Sequence, residues 1–220
     1  MYHNFIEVLP TYNSSEPGEL IEMAVMKELK ELMKLECDYP VDDHTLDKLL
    51  EKAELIKVGP EECIVEAGQF APDVWIVKKG IIRLVDMDGN RERTSSFALP
   101  GTLFMLKHSF VKDLPSYFEM WSCCETELLK VSRKHFKELL KTDLQFTVWM
   151  FHYVMEELFF QEKKHSSVSN GTASERFNAI CRHRPDLMEK VKQKHLASYL
   201  GISPEYFCRL KRKIKKNTSD

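Results

Sequence analysis

The spacing of hydrophobic and polar positions changes several times along the chain, and each change marks a new element. From Glu19 to Leu35, apolar residues recur at helical spacing: Leu20, Met23, Val25 or Met26, Leu29, and Leu32 or Met33. This predicts an amphipathic helix that either covers a core or meets a partner. Pro40 closes that region, and a short helix is predicted around His44 to Lys52. From Glu54 to Val131 the pattern turns to short β runs at 55–58, 64–66, 74–78, 81–86, 91–98, 118–124 and 127–131. Gly59-Pro60, Ala67-Gly68, Lys79-Gly80 and Pro100-Gly101 interrupt these runs, and Asp88-Gly89 is a hairpin signal. Many short, closely spaced strands predict a barrel, a roll or a jelly roll.

Helical spacing returns at 133–141 and then in one long run from Asp143 to about His165. Leu144, Val148, Phe151, Met155 and Leu158 step by four and three, which makes a heptad seam. Trp149, Tyr153 and Phe160 form a second apolar set on another face. Two apolar faces predict two packing partners: the chain's own β domain on one side and an identical helix across a two-fold axis on the other. A core helix buried all round would carry the same pattern. Ser166 to Gly171 is a polar hinge, and Thr172-Ala173-Ser174-Glu175 is a capping box. The helix it opens carries Phe177, Ile180 and Cys181 and stops before Pro185, leaving a short linker.

The stretch from Gln193 to Leu210 then reads as two short helices hinged at a glycine. Leu196 and Leu200 are the apolar positions of the first, with small Ala197 where a second helix could cross closely. Gly201 supplies the positive φ that ends it, Ser203 is a helix N-cap, and Pro204 takes the first helical position, where a missing N–H costs nothing. Tyr206, Phe207, Leu210 and Ile214 give the second helix a buried side, while Arg209, Lys211, Arg212, Lys213 and Lys215 leave the rest basic. A helix-turn-helix with a basic second helix suits a DNA major groove.

Composition narrows the field. The 220 residues leave room for two modest domains. The formal net charge of −2 hides a polarity. Met1 to Phe70 is acid-rich, and from Arg182 to Lys216 the basic residues outnumber Asp186, Glu189 and Glu205 several-fold. An acidic body with a basic end fits a nucleic-acid partner and steep salt dependence. Cys37, Cys63, Cys123, Cys124, Cys181 and Cys208 show no C-x-x-C spacing and no metal-site pairing with histidine, so they read as reduced packing thiols. Cys123 and Cys124 fall in an expected strand and would point to opposite faces. No metal is expected. No apolar run reaches the roughly 18–20 residues of a membrane span. Met1 to Pro10 lacks the pattern of a signal peptide, so a cytoplasmic location is the default expectation.

The order β roll, long helix, hinge, helix-turn-helix resembles the Crp/Fnr family of bacterial transcription regulators, over nearly everything from Asp42 to Ile214. Its specific parts are Glu66-Ala67-Gly68 and the run from Val74 through Gly80 to Val85, which looks like the glycine-punctuated strand pair of cyclic-nucleotide-binding domains. The resemblance implies an α+β chain. Residues 1–41 would be an N-terminal extension with a helix and 42–142 a β-roll sensor domain of double-stranded β-helix or jelly-roll type. Residues 143–169 would be a dimerisation helix and hinge, and 170–220 a helix-turn-helix domain whose usual β-hairpin wing is absent or truncated. The dimer seam would be Leu144, Val148, Phe151, Met155 and Leu158.

The family's phosphate-binding cassette corresponds to Gly101-Thr102-Leu103-Phe104 and Pro115-Ser116-Tyr117, so Gly101, Thr102, Leu103, Phe104, Ser116 and Tyr117 are the candidate effector-pocket residues. Thr102 stands where the family has a ribose-binding glutamate, and Pro115 where it has the arginine that neutralises the cyclic phosphate. A buried phosphate without that arginine would lose about 2–5 kcal/mol. An effector other than cyclic AMP is therefore expected, with Lys107, His108 and Lys112 near enough to supply a different cationic site.

In the recognition helix, Ser203, Glu205 and Arg209 match the family pattern and Pro204 replaces an arginine. Glu205 suits a cytosine amino group and Arg209 a guanine. Tyr206, Arg212 and Lys213 suit phosphate or base-edge contacts. The implied partners are double-stranded DNA, a second copy of the chain and RNA polymerase. Two other readings compete. One is a regulator whose β domain has lost its ligand. The other is a cupin-like metalloenzyme, which needs histidines that the candidate strands do not carry; no enzymatic activity is expected.

Overall fold

The structure, a computed structural model, describes residues 17–88, 91–170 and 172–217. Its strands form two four-stranded antiparallel sheets. In the first, β1 (Glu54–Val58), β8 (Thr126–Val131), β3 (Val74–Lys79) and β6 (Leu103–Met105) lie side by side in that order. In the second the order is β2 (Cys63–Val65), β7 (Glu119–Ser122), β4 (Ile82–Asp88) and β5 (Arg91–Ala98).

Strand β3 shows why the sheets face each other. Val74, Trp75, Ile76 and Val77 are all buried, because successive side chains enter different cores. Trp75 and Val77 join Val65, Ile82, Met120 and Leu128 between the sheets. Val74 and Ile76 join the core formed with the helices. Each such side chain contributes about 1.5–3 kcal/mol of burial. The expected β runs correspond closely to these strands, and β4 pairs Asp88 with Arg91 across the hairpin, although Gly89 lies outside the described residues.

Helix α1 (Pro17–Leu35) and α2 (Asp43–Leu50) precede the roll. The described part of the N-terminal extension is integral to the core, since Leu29, Met33, Cys37 and Val41 are all buried in it; the side chain of Leu20 lies outside the described residues. Asp42 caps α2 by accepting from the Thr45 N–H at 2.8 Å. Two short elements were not legible as runs: β6 and α3 (Lys107–Lys112).

After β8 come α4 (Arg133–Thr142) and the long α5 (Leu144–Asn170). Phe146, Trp149, Met150 and Tyr153 bury one face of α5 in the helical core. Phe136 of α4 meets Phe146 edge-on at 5.2 Å between ring centroids, a favourable aromatic geometry. Three expectations are corrected here. Phe160 does not share the buried face of Trp149 and Tyr153; it is 49 % exposed. The polar segment from Ser166 does not break the helix, which continues to Asn170, and Gly171 lies outside the described residues. Cys123 and Cys124 lie in the bend between β7 and β8 rather than in a strand, and both pack on the same core. All six cysteines are free thiols, and burial pushes Cys123 up to about 12.

The C-terminal unit comprises α6 (Ala173–His183), α7 (Pro185–Lys190), α8 (Gln193–Leu200) and α9 (Pro204–Asn217). The capping box is formed: the Thr172 hydroxyl accepts from the Glu175 N–H, and the Glu175 carboxylate accepts from the Thr172 N–H at 2.7 Å. Helix α7 fills what reads as a linker in the sequence, started by Pro185 at its first position. Helix α9 runs to Asn217, and residues 218–220, where any remnant of a wing would lie, are outside the described residues.

Candidate nucleic-acid interface and sensor pocket

Helices α8 and α9 are built as their sequence implies. Gly201 has φ +66° and ends α8 with its N–H bonded back to Ala197 and Ser198 carbonyls. The Ser203 hydroxyl accepts from the Tyr206 N–H at 3.2 Å, and Pro204 is the first helical residue. Phe207 and Leu210 bury one side of α9 against Leu196, Ala197 and Leu200 of α8. Phe207 also meets Phe177 of α6 edge-on at 5.0 Å. The Arg176 guanidinium donates to the Leu200 carbonyl at 3.1 Å, satisfying one of the last acceptors of α8.

This packing turns the predicted reading residues outward. Ser203, Glu205, Arg209, Arg212 and Lys213 are exposed, and Tyr206 is half-buried. The side chain of Ile214 lies outside the described residues. The Arg209 guanidinium lies over the Tyr206 ring, 5.1 Å from its centroid, which presents the cation in one orientation. Backbone hydrogen bonding and the Ser203 hydroxyl hold the Glu205 carboxyl below the usual carboxylate range. It stands as an anion, able to accept but not donate.

On α5, the expected seam faces away from the core. Leu144 is 79 % exposed, Phe151 63 % and Leu158 50 %, with Val148 and Met155 half-buried between them. Val154 and Phe159 widen this exposed apolar stripe.

The six candidate pocket residues divide. Ser116 and Tyr117 line a cleft of about 720 Å³ together with Ala67, Gly68, Asp86 and His108. Gly101 and Thr102 stand elsewhere, against α1. Gly101 has φ +93°, and a Cβ there would lie 2.7 Å from the Leu32 backbone, so both its conformation and its surroundings require glycine. The Thr102 hydroxyl accepts from the Leu99 N–H at 3.1 Å and donates to the Glu36 carboxylate at 3.3 Å. Leu103 is fixed by Tyr153 of α5, whose hydroxyl accepts from its N–H at 2.9 Å and donates to its carbonyl at 2.8 Å. Phe104 packs between the sheets.

Within the cleft, Ser116 is 3 % exposed and its hydroxyl is taken up by the Phe118 backbone, donating to the carbonyl and accepting from the N–H. The His108 ring meets the Tyr117 ring at a tilt of 38° with centroids 4.0 Å apart, and its Nδ1 lies 3.1 Å from the Pro115 carbonyl. Asp86 is paired with Arg93 at 2.5 Å. Lys107 and Lys112 are exposed on α3 and do not line the cleft. The family's cassette arginine therefore has no counterpart among these lining residues. Among the described residues, no three His, Cys, Asp or Glu side chains are grouped to hold a metal ion. No described helix is long and apolar enough to cross a membrane.

A contact between the two halves was not foreseeable from the motifs. Helix α8 lies along β5, the edge strand of its sheet. The Ser198 hydroxyl accepts from the Thr94 N–H at 3.0 Å and donates to the Glu92 carbonyl at 3.3 Å. Phe97 and Tyr199 meet at 5.1 Å. In the turn between β1 and β2, the Glu61 carboxylate lies 3.1 Å from both Lys192 Nζ and His195 Nε2. In the sequence this contact leaves only a local trace, His195 beside the apolar Leu196 and Ala197.

Comparisons with known proteins agree with this architecture. The cyclic nucleotide-binding domain family matches residues 55–143. FixK2 from Bradyrhizobium japonicum superposes with a TM-score of 0.66 at 19 % identity, over 76 % of this chain and 86 % of that one. The c-di-GMP-responsive global regulator CLP of Xanthomonas campestris gives 0.59 at 16 % identity, over 80 % and 93 % of the two chains. The catabolite activator protein of Thermus thermophilus gives 0.52 at 17 % identity, over 85 % and 88 %. No curated protein sequence matches the chain. Residues 55–143 thus match the cyclic nucleotide-binding domain family, within a chain that shares the fold of the Crp/Fnr regulators.

Proposed function

We propose that this protein is a homodimeric, sequence-specific DNA-binding regulator of Crp/Fnr type, acting in the cytoplasm with RNA polymerase as a further partner. The observation that carries this reading is α9. Its apolar residues anchor it while Ser203, Glu205, Arg209, Arg212 and Lys213 stand outward on one helix. Arg209 and Glu205 supply opposite halves of a base code, a donor fork for guanine and an acceptor for cytosine. Arg212 and Lys213 supply phosphate contacts. The exposed stripe on α5 supports pairing of two copies through Leu144, Val148, Phe151, Met155 and Leu158. Two recognition helices would then read a pseudo-palindrome, one half-site each in successive major grooves.

The sensor domain supports an effector other than cyclic AMP. No Arg or Lys is among the residues that line the cleft, and the nearby Arg93 is already paired with the lining Asp86. The closure of Ser116 on Phe118 and of His108 on Tyr117 favours a second reading, a regulator that needs no effector.

Selection of duplexes from a random library by the full chain tests the main reading. A two-fold symmetric site is expected, with discrimination at one base pair per half-site lost on Arg209→Ala. Recovery of no preferred sequence, or an unchanged preference in the variant, overturns it. A thermal-shift panel of nucleotides and small metabolites separates the two sensor readings: a ligand that raises Tm and is blocked by Gly68→Trp supports the first.

A further inference from the structure

The contact between Glu61 and α8 joins the sensor domain to the end of the helix-turn-helix that meets nucleic acid. In this motif the first helix crosses the DNA backbone, and phosphates are met by cationic side chains there. Lys192 and Lys194 stand exposed at the start of α8, next to the buried His195. Lys192 is not free: its ammonium and the His195 ring converge on one oxygen of Glu61.

Glu61 is held for this contact. It adopts a left-handed backbone, φ +56°, which side chains other than glycine rarely adopt. Its N–H donates to the Ser122 carbonyl at 3.2 Å, tying the turn to β7. Its second carboxylate oxygen is buried and has no hydrogen-bond partner. A left-handed residue with a half-satisfied carboxylate is costly unless something else compensates. The compensation visible here is the pair of cationic or donor groups from α8.

We propose that Glu61 acts as an internal phosphate surrogate. Its carboxylate occupies the groups at the start of α8 that a DNA backbone phosphate would engage, so DNA must displace the sensor domain's own anion to bind with both helices. This inference rests on the DNA-binding reading above. It differs from an ordinary domain contact because the two partners of Lys192, carboxylate and phosphate, exclude one another. Release of α8 from the roll, by an effector or by DNA itself, would expose the Lys192 ammonium and the His195 ring. The seat of the control is then the β1–β2 turn, not the pocket.

The test is fluorescence anisotropy of the full chain with a mixed-sequence duplex of about 30 bp at roughly 0.1 M salt. Glu61→Gln is expected to tighten binding about five- to tenfold, by removing the competing anion while keeping the side-chain size. Lys192→Gln is expected to weaken binding, and to reduce the gain from Glu61→Gln when the two are combined. A purely structural Glu61 would lower Tm with no gain in affinity, and that result overturns the proposal. Should Glu61→Gln fail to fold, Ser198→Ala loosens α8 from β5 by a separate contact and is expected to tighten binding about twofold; unchanged or weaker binding overturns the proposal there too. The doubly substituted Arg209→Ala, Arg212→Ala chain separates the two levels. If it loses binding while Glu61→Gln gains nothing, the surrogate fails and the DNA reading stands. If it binds like the unaltered chain, the DNA reading itself fails.

Discussion

Helices α8 and α9 are neighbours in one motif, yet they are held in opposite ways. Helix α8 is shared. Its Leu196, Ala197 and Leu200 are buried with α6 and α9, and the same cluster takes in Ile81, Leu99 and Cys123 of the roll. Ser198 and His195 add polar ties to β5 and to the β1–β2 turn. Helix α9 rests on its own unit through Phe207 and Leu210, with its polar side open. Helix α8 is thus coupled to the roll, and α9 is not. A change in the roll can shift where α9 is presented without altering the residues that α9 turns outward.

Removing the anchor that both helices share should have the largest effect. Phe207 is fully buried and meets Phe177 edge-on. Phe207→Ala is expected to destabilise the C-terminal unit by about 3–5 kcal/mol. All three tryptophans, Trp75, Trp121 and Trp149, lie outside that unit. Loss of helical circular dichroism should therefore precede the tryptophan fluorescence change in denaturant. Coincident transitions would mean that the roll and the helix-turn-helix unfold as one, and that α8 is tied more tightly than its contacts imply.

Cutting only the tie of α8 should cost less. Thr94 is buried, and Ser198→Ala leaves its N–H without the hydroxyl acceptor, at a cost of about 1–2 kcal/mol. Hydrogen exchange at the Thr94 amide should accelerate while the amides of α9 keep their protection. Equal acceleration in α9 would show that the two helices are not held independently. Gly201→Ala changes only the joint between them. No atom lies within 4 Å of the added Cβ, so the cost is the left-handed backbone alone, about 1 kcal/mol. It should lower Tm slightly and leave the Thr94 amide unchanged.

The comparison also shows what the sequence could carry. Both helices of the motif were legible because their signals are local: Gly201, the Ser203 cap, Pro204 and the apolar spacing all act within a few residues. The strands were legible for the same reason, through glycine and proline punctuation. Strand β6 escaped because Leu103-Phe104-Met105 is too short to show alternation, and α7 because Pro185 reads equally as a stop and as a first helical residue. The pocket residues were grouped by resemblance, but Gly101 and Thr102 are set against Leu32 and Glu36, some 66 positions away. Nothing in a glycine-threonine pair announces that α1 covers it. The tie between Glu61 and His195 spans 134 positions and lies in no motif. Local order was readable, and coupling between domains was not.

The smallest effect concerns protons, because opposing influences meet on His195. Burial dominates and holds its ring below the ordinary histidine value of 6.5, with Arg83 and Lys194 acting in the same direction, while the Glu61 carboxylate raises it. The undocked ring therefore binds a proton more readily than the docked one. His195 accordingly favours the docked state above about pH 6.5, and that contribution is lost as the pH falls through the lower docked value. Burial opposes ionisation of Glu61, but bonds from His195 and Lys192 outweigh it and hold its carboxyl below the usual 4.5. Its contribution is present above that pH and is lost only on further acidification. Docking of α8 should thus begin to weaken just below pH 6.5, well before the carboxylate titrates. An NMR titration of the His195 ring should give a midpoint below 6.5, and Glu61→Gln should move it lower still while the chain remains docked. A midpoint at or above 6.5 would mean that the ring is solvated and that α8 is not seated on the roll, which removes the difference between the two helices.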